Sequence, residues 1–445
     1  MKRRLGQHRG AILLGVPAAL LVAAAIILGP AVSAARGQSH SHSTPSSTSP
    51  QLLGGVGTGC GSWSTIPSAN PSPDFAYLSG VAAVPGTKIA WAVGTANVSF
   101  EMNQPLVERW DGSSWSVVPS PTVPTISTAA LNGVAAVSAT DVWAVGDSSA
   151  FVGSGIGNVP VVEHWDGVSW SLVSSPTIPE GGRLQAVTAI SSTDIWAVGN
   201  RLNGVFPTVG LAEHWDGLSW RVVPMAPPNI SGLLQEIRAV SAASPTDVWA
   251  VGFASPVPAG PPSISLIEHW NGLRWSLVPS PNPLPVQNQL YGVVALSATN
   301  AWAVGWAGYT GSSGNQVITF IAHWNGLIWS TVSSPNPDKE NNILRGIAAV
   351  SANELWAVGY TGAPVDPHQG HTLVERWDGV QWRVVPSQNL LPLPFSGDIL
   401  LGVAATPLRT LWAVGYIWIP DVTVDHLNQT LVEHSPPRMG MACRS

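Results

Sequence analysis

The residue types that most suggest chemistry recur as one short string. It occupies Glu108-Arg109-Trp110, Glu163-His164-Trp165, Glu213-His214-Trp215, Glu268-His269-Trp270 and Glu375-Arg376-Trp377, with partial copies at His323-Trp324 and Glu433-His434. A carboxylate beside an imidazole is what general acid–base catalysis asks for. A catalytic group, however, is needed once, in one pocket with one tuned pKa. This string recurs along the chain, and His alternates with Arg in it. A proton-transferring base would not tolerate that exchange, whereas a structural donor would. The string is therefore expected to be architecture.

The residues left over after the repeats gather near the C-terminal end. Of 22 tryptophans, all but Trp306 and Trp418 fall in repeated motifs. The histidines outside the repeated string and the first 57 residues are His368, His371 and His426. Tyr309, Tyr360 and Tyr416 are three of only five tyrosines, and Asp366, Asp421 and Asp425 accompany them. Aromatic rings with carboxylates suit carbohydrate, where rings cover sugar C–H faces and carboxylates accept from hydroxyls. Alternatively, Asp366-Pro367-His368-Gln369-Gly370-His371 with Asp421 or His426 could hold a divalent metal. Ordinary loop packing and turn capping would leave these residues without a ligand.

The elements that must position these side chains follow from a repeat. Trp-Ala-Val-Gly begins at Trp91, Trp143, Trp196, Trp249, Trp302, Trp356 and Trp412. A period of about 50 residues marks a repeat architecture, and four strands per unit point to a propeller. In the unit from Leu131 to Pro176 the expected strands are 133–138, 142–146, 161–165 and 169–173, with a variable loop between the second and third. Asp166-Gly167 is the hairpin signal before the last strand. The seventh unit lacks its fourth strand, and Gly61-Ser62-Trp63-Ser64-Thr65-Ile66-Pro67 supplies the matching piece. The expected fold is all-β: a seven-bladed β-propeller of four-stranded blades over residues 58–445, its last blade closed by the N-terminal strand. Cys60 and Cys443, the two cysteines, flank that closure, and a disulfide between them would clasp the ring. In such a blade the second-to-third loop and the connection between blades lie on one face. That face, at blades 5–7, is the expected binding surface.

The unit resembles a bacterial secreted propeller repeat usually described as kelch-like, galactose-oxidase-like or BNR-like. The resemblance rests on Gly-Val-Ala-Ala-Val-Ser, Asp-Val-Trp-Ala-Val-Gly, Glu-His-Trp-Asp-Gly and Ser-Trp-Ser, as at 133–138, 141–146, 163–167 and 169–171. Asp166-Gly167-Val168-Ser169-Trp170 also resembles the Asp-box of sialidase-type propellers, one residue shorter. The resemblance implies the fold strongly and an activity hardly at all. A sialidase-type site would need an arginine cluster, and the arginines are scattered in sequence. A galactose-oxidase-type copper site would need a Cys near a Tyr, and neither cysteine has one. No cofactor is expected.

Residues 1–35 read as a signal peptide or an N-terminal membrane anchor. Lys2, Arg3, Arg4 and Arg9 precede an apolar run from Ala11 to Gly29, and small residues follow at Ala31-Val32-Ser33-Ala34-Ala35. Residues 36–57 form a Ser/Thr/Pro-rich linker that includes His40 and His42. The leader holds four of the 19 Lys and Arg, so the rest carries 15 against 25 Asp and Glu, a formal charge of −10. That balance excludes a nucleic-acid partner. The reading is a monomer, secreted or on the outer face of the membrane and touching the membrane only through an uncleaved leader. It would act as a binding or structural module for an extracellular glycan or protein. The alternatives are a polysaccharide hydrolase or lyase using Asp366, Asp421 and Asp425, and a scaffold with no small ligand.

Overall fold

A computed structural model describes residues 63–435 apart from 73–74, 100–101, 126–127, 153–154, 203–207, 228–232, 257–261, 310–315, 363–369, 391–395, 407–408 and 422–424. The leader, the linker, Cys60 and Cys443 lie outside the described residues. No helix among the described residues is long and apolar enough to cross a membrane.

The chain folds into seven four-stranded antiparallel sheets, the blades of a β-propeller. In blade 2 the strands are Ala129–Ser138, Asp141–Val152, Gly155–Trp165 and Trp170–Leu172, from the axis outward. The expected loop between the second and third strands is thus mostly strand, with Asp147↔Pro160 through Val152↔Gly155 in register. The pairing simply continues past Gly146 until the chain turns. The outermost strand is short because Ser- and Pro-rich sequence follows it, and each Pro lacks a ladder donor. Its hairpin is an Asx turn. Asp166 accepts the Val168 and Ser169 amides at 2.8 and 2.9 Å, and Gly167 sits at φ 100°. Only Gly enters that region freely, which explains the repeated Asp-Gly or Asn-Gly.

The ring closes as the strand count requires. Ser64 and Thr65 pair with His434 and Glu433 at the outer edge of blade 7. Each Trp of Trp-Ala-Val-Gly except Trp356 packs against two tryptophans of the next blade. Trp91 meets Trp165 and Trp170 at ring-centroid distances of 4.9 and 5.3 Å. Across the closure, Trp412 of blade 7 meets Trp110 and Trp115 of blade 1, and Trp356 of blade 6 meets Trp63. These contacts form the apolar seams between blades.

The Glu-His-Trp string is part of the same frame. His164 stacks on Trp143 at 4.3 Å and bonds Asp141 through Nε2 at 2.9 Å. His214–Asp194 and His269–Asp247 repeat the pair. At the two Arg copies the stacking persists while the acid position varies: Arg376 donates to Glu354 at 3.0 Å and lies over Trp356, whereas Arg109 lies over Trp91 with Ile89 in the acid's place. The six glutamates of the string are fully buried. Ser120 donates to Glu163, Ser175 to Glu213 and Ser68 to Glu108, each from the connection leading into that blade. These three glutamates, and Glu268 by accepting from the Ala226 amide, latch a connection to their blade.

Candidate ligand-binding site

The innermost strand of every blade carries a β-bulge at one equivalent place, between Leu78 and Gly80, Leu131 and Gly133, Leu184 and Ala186, Ile237 and Ala239, Leu290 and Gly292, Leu344 and Gly346, and Leu400 and Gly402. A bulge inserts one unpaired residue and re-aims its side chain. Here those residues are Ser79, Asn132, Gln185, Arg238, Tyr291, Arg345 and Leu401. All seven line one axial cavity of about 400 Å³, within the usual range of small-molecule sites.

Two glycine positions make this geometry. The bulge folds the inner strand's carbonyl over the Gly of Trp-Ala-Val-Gly. A Cβ on Gly146 would sit 1.9 Å from the Ala130 oxygen, and one on Gly359 1.9 Å from that of Ile343. The small residue after each bulge lets neighbouring inner strands touch backbone to backbone. A Cβ on Gly402 would stand 3.2 Å from the Ser79 oxygen, across the ring closure. That approach keeps the channel narrow, so seven side chains from seven blades share one cavity.

The cavity has two unlike sides. Blades 4 to 6 contribute Arg238, Tyr291 and Arg345. The Tyr291 ring lies between the two guanidiniums, with Arg345 at 4.1 Å and Arg238 at 5.7 Å from its centroid. Tyr291 donates to Gln289 at 2.8 Å. Glu236 accepts from Arg183 at 3.2 Å and from Arg238 at 3.3 Å. Blades 7, 1, 2 and 3 contribute the neutral Leu401, Ser79, Asn132 and Gln185. No carboxylate is among the described residues that line the cavity.

A second layer stands toward the variable-loop face, because the inner strands run from that face inward. Arg345 reaches it by donating to the Tyr360 hydroxyl at 3.3 Å. Tyr416 and Tyr77 meet there at 6.1 Å. Burial pushes the Tyr416 phenol up to about 12 and raises that of Tyr77, so both stay protonated. Asp147 is also in this layer. Burial raises its carboxyl, while the Asn132 amide donating at 2.9 Å lowers it.

The residues singled out from sequence are distributed differently from expectation. They were placed in loops, yet most belong to strands. Trp306 and Tyr309 are in Asn300–Tyr309, Tyr360 is in Glu354–Thr361, and Tyr416, Trp418 and Asp421 are in Leu411–Asp421. Asp425 and His426 begin the strand Asp425–Ser435, where Asp421 pairs with Asp425 and Pro420 with His426. The long hairpins carry their pairing into what looked like loop. Tyr360 and Tyr416 join the axial site, Trp306 is half-buried at the equivalent register position, and Trp418 is buried. His371 is exposed at the start of its strand. Asp366 and His368 lie outside the described residues. No three His, Cys, Asp or Glu side chains converge on a metal-holding arrangement among the described residues.

Sequence reasoning missed the arginines. Arg183, Arg238 and Arg345 come from blades 3, 4 and 6, and the ring brings them together. A signal was available: in Leu-x-Gly-Val and its variants the x column reads Ser, Asn, Gln, Arg, Tyr, Arg, Leu while its neighbours hardly vary.

No family model matches the sequence, and no curated protein matches it. The chain is similar to a solved polysaccharide lyase, an ulvan lyase bound to a saccharide of glucuronate and sulfated rhamnose. The TM-score is 0.50 and identity 9%, over 82% of this chain and 95% of that one. It is also similar to a protein of unknown function from Dyadobacter fermentans (TM-score 0.47, 12% identity, 71% of this chain and 97% of that one). A third is an α-L-arabinanase from Penicillium chrysogenum complexed with arabinobiose (0.39, 12%, 66% and 93%). At these identities the likeness bears on the fold alone.

Proposed function

We propose that this is an exported glycan-binding propeller that receives part of a sugar chain in its axial cavity from the variable-loop face. The observation that carries the reading is the bulge ring. Seven blades hold their frame almost constant and vary the one residue aimed at a shared cavity, as a binding site on a rigid scaffold does. Its side chains are amide, hydroxyl, phenol and guanidinium groups, which hydrogen-bond sugar hydroxyls, and aromatic faces, which cover sugar C–H surfaces. The glycan-active propellers among similar structures fit this reading.

Binding fits better than hydrolysis. Two carboxylates flanking a scissile bond are the usual requirement for glycoside cleavage, and the described cavity lining has none. Asp398 and Glu433 are neighbours in blade 7, but both are buried in the blade. The test is a glycan array, neutral and acidic, probed with the full-length chain in mild detergent, with and without a chelator. Retention of one structural class without new chain ends by mass spectrometry is expected. Silence toward every glycan would overturn the reading, and released fragments would replace it with the enzyme.

A further inference from the structure

Arg345 is the charge in the cavity that the protein leaves unanswered. Arg183 and Arg238 share Glu236. Arg345 has no carboxylate within ion-pair distance among the described residues; its neighbours are the neutral Tyr291 and Tyr360, whose hydroxyl accepts from it. Its Nε is buried with no hydrogen-bond partner, as is that of Arg238. Guanidinium groups stay charged in proteins, and a partly desolvated charge without a counterion is costly. The molecule nevertheless holds this one over an aromatic ring, in the lining of the axial cavity. The body around it carries a net charge of −10, so general attraction cannot be what draws an anion here.

We propose that the blade 4–6 side of the axial cavity is an anion subsite, in which Arg345, assisted by Arg238 and Tyr360, receives the carboxylate or sulfate ester of an acidic sugar. This rests on the reading of the cavity as a glycan site and names the class of glycan. The planar fork of Arg matches the paired oxygens of either group. The Tyr291 face holds the fork in its plane before the ligand arrives. The Asn132, Gln185 and Ser79 side then meets hydroxyls of the same sugar, so charge and neutral contacts select an acidic sugar rather than any anion.

The test uses the glycans the array returns. Each acidic one is titrated calorimetrically beside its neutral counterpart, made by carboxyl reduction or desulfation. The neutral form is expected to bind about 10- to 100-fold more weakly, the worth of one charged hydrogen-bonded contact. Arg345→Gln should abolish that preference, so that the acidic sugar and its neutral counterpart bind alike. Arg345→Lys should restore only part, since it keeps charge without the fork. Thermal melting and tryptophan near-UV dichroism check the fold. If Arg345→Gln does not fold, Tyr360→Phe removes the hydroxyl that holds the fork and should still weaken the acidic sugar several-fold. Whether affinity falls on carboxyl reduction or on desulfation identifies which anion is read. If acidic and neutral sugars bind equally, or only neutral ones are returned, the anion subsite falls and the glycan reading stands. If none binds, both fall.

Discussion

At the residue scale, the molecule separates side chains that build the frame from those the frame presents. The Gly of Trp-Ala-Val-Gly belongs to the frame, because the bulge carbonyl occupies the space of a side chain. Gly359→Ala should therefore lower stability by about 3 kcal/mol or more, whereas Gly155→Ala, with nothing near its Cβ, should stay within about 0.5 kcal/mol. Differential scanning calorimetry measures both, and equal melting temperatures would refute the bulge argument. The His-to-Arg exchange was readable from sequence as structural, and the contacts show why: either side chain lies over its blade's tryptophan, His164 on Trp143, Arg109 on Trp91 and Arg376 on Trp356. The x column of Leu-x-Gly-Val was legible too, but its meaning was not. Alternation would aim x into a blade seam, and only the bulge turns it to the axis.

At the element scale, the glutamate latches set the response to pH. Burial lifts the carboxyls of Glu163, Glu213 and Glu268 from 4.5 to about 7 and that of Glu375 to about 8. The folded chain binds these protons more tightly than the unfolded chain. Their contribution is therefore complete below about pH 4.5 and is lost as pH rises through about 7 to 8. Each shift corresponds to about 3–5 kcal/mol. The triple variant E163Q, E213Q and E268Q keeps the neutral shape and the Ser contacts. It should melt like the parent at pH 4 and clearly above it at pH 8. Parallel melting curves across that range would show that the carboxyls do not titrate in the fold. The strands themselves were legible from Trp-Ala-Val-Gly and Asp-Gly, except for the extension of the second and third. The stretch from 147 to 160 differs from its counterparts in the other blades, so it read as a loop.

At the scale of the whole molecule, the ring depends on the N-terminal strand. Trp63 is buried against Trp356 at 5.7 Å, so Trp63→Ala should cost about 3–5 kcal/mol. Because it acts at the closure, limited proteolysis should cut the variant first in blade 7; cutting spread evenly over the blades would count against a special role for that seam. The proposed Cys60–Cys443 clasp lies beyond the described strands, and a linked peptide by mass spectrometry tests it, two alkylatable thiols being the contrary result. The number of blades, the strand exchange at the seam and the structural use of the repeated Trp, Glu and His were determined by the sequence alone, because each is read from a local pattern that recurs from blade to blade or from the one copy of it that is displaced to the N-terminal end. The convergence of Arg238, Tyr291 and Arg345 was decided only by the tertiary structure. Residues separated by a whole blade have no local relation in sequence, and they become neighbours only when seven bulges face one axis.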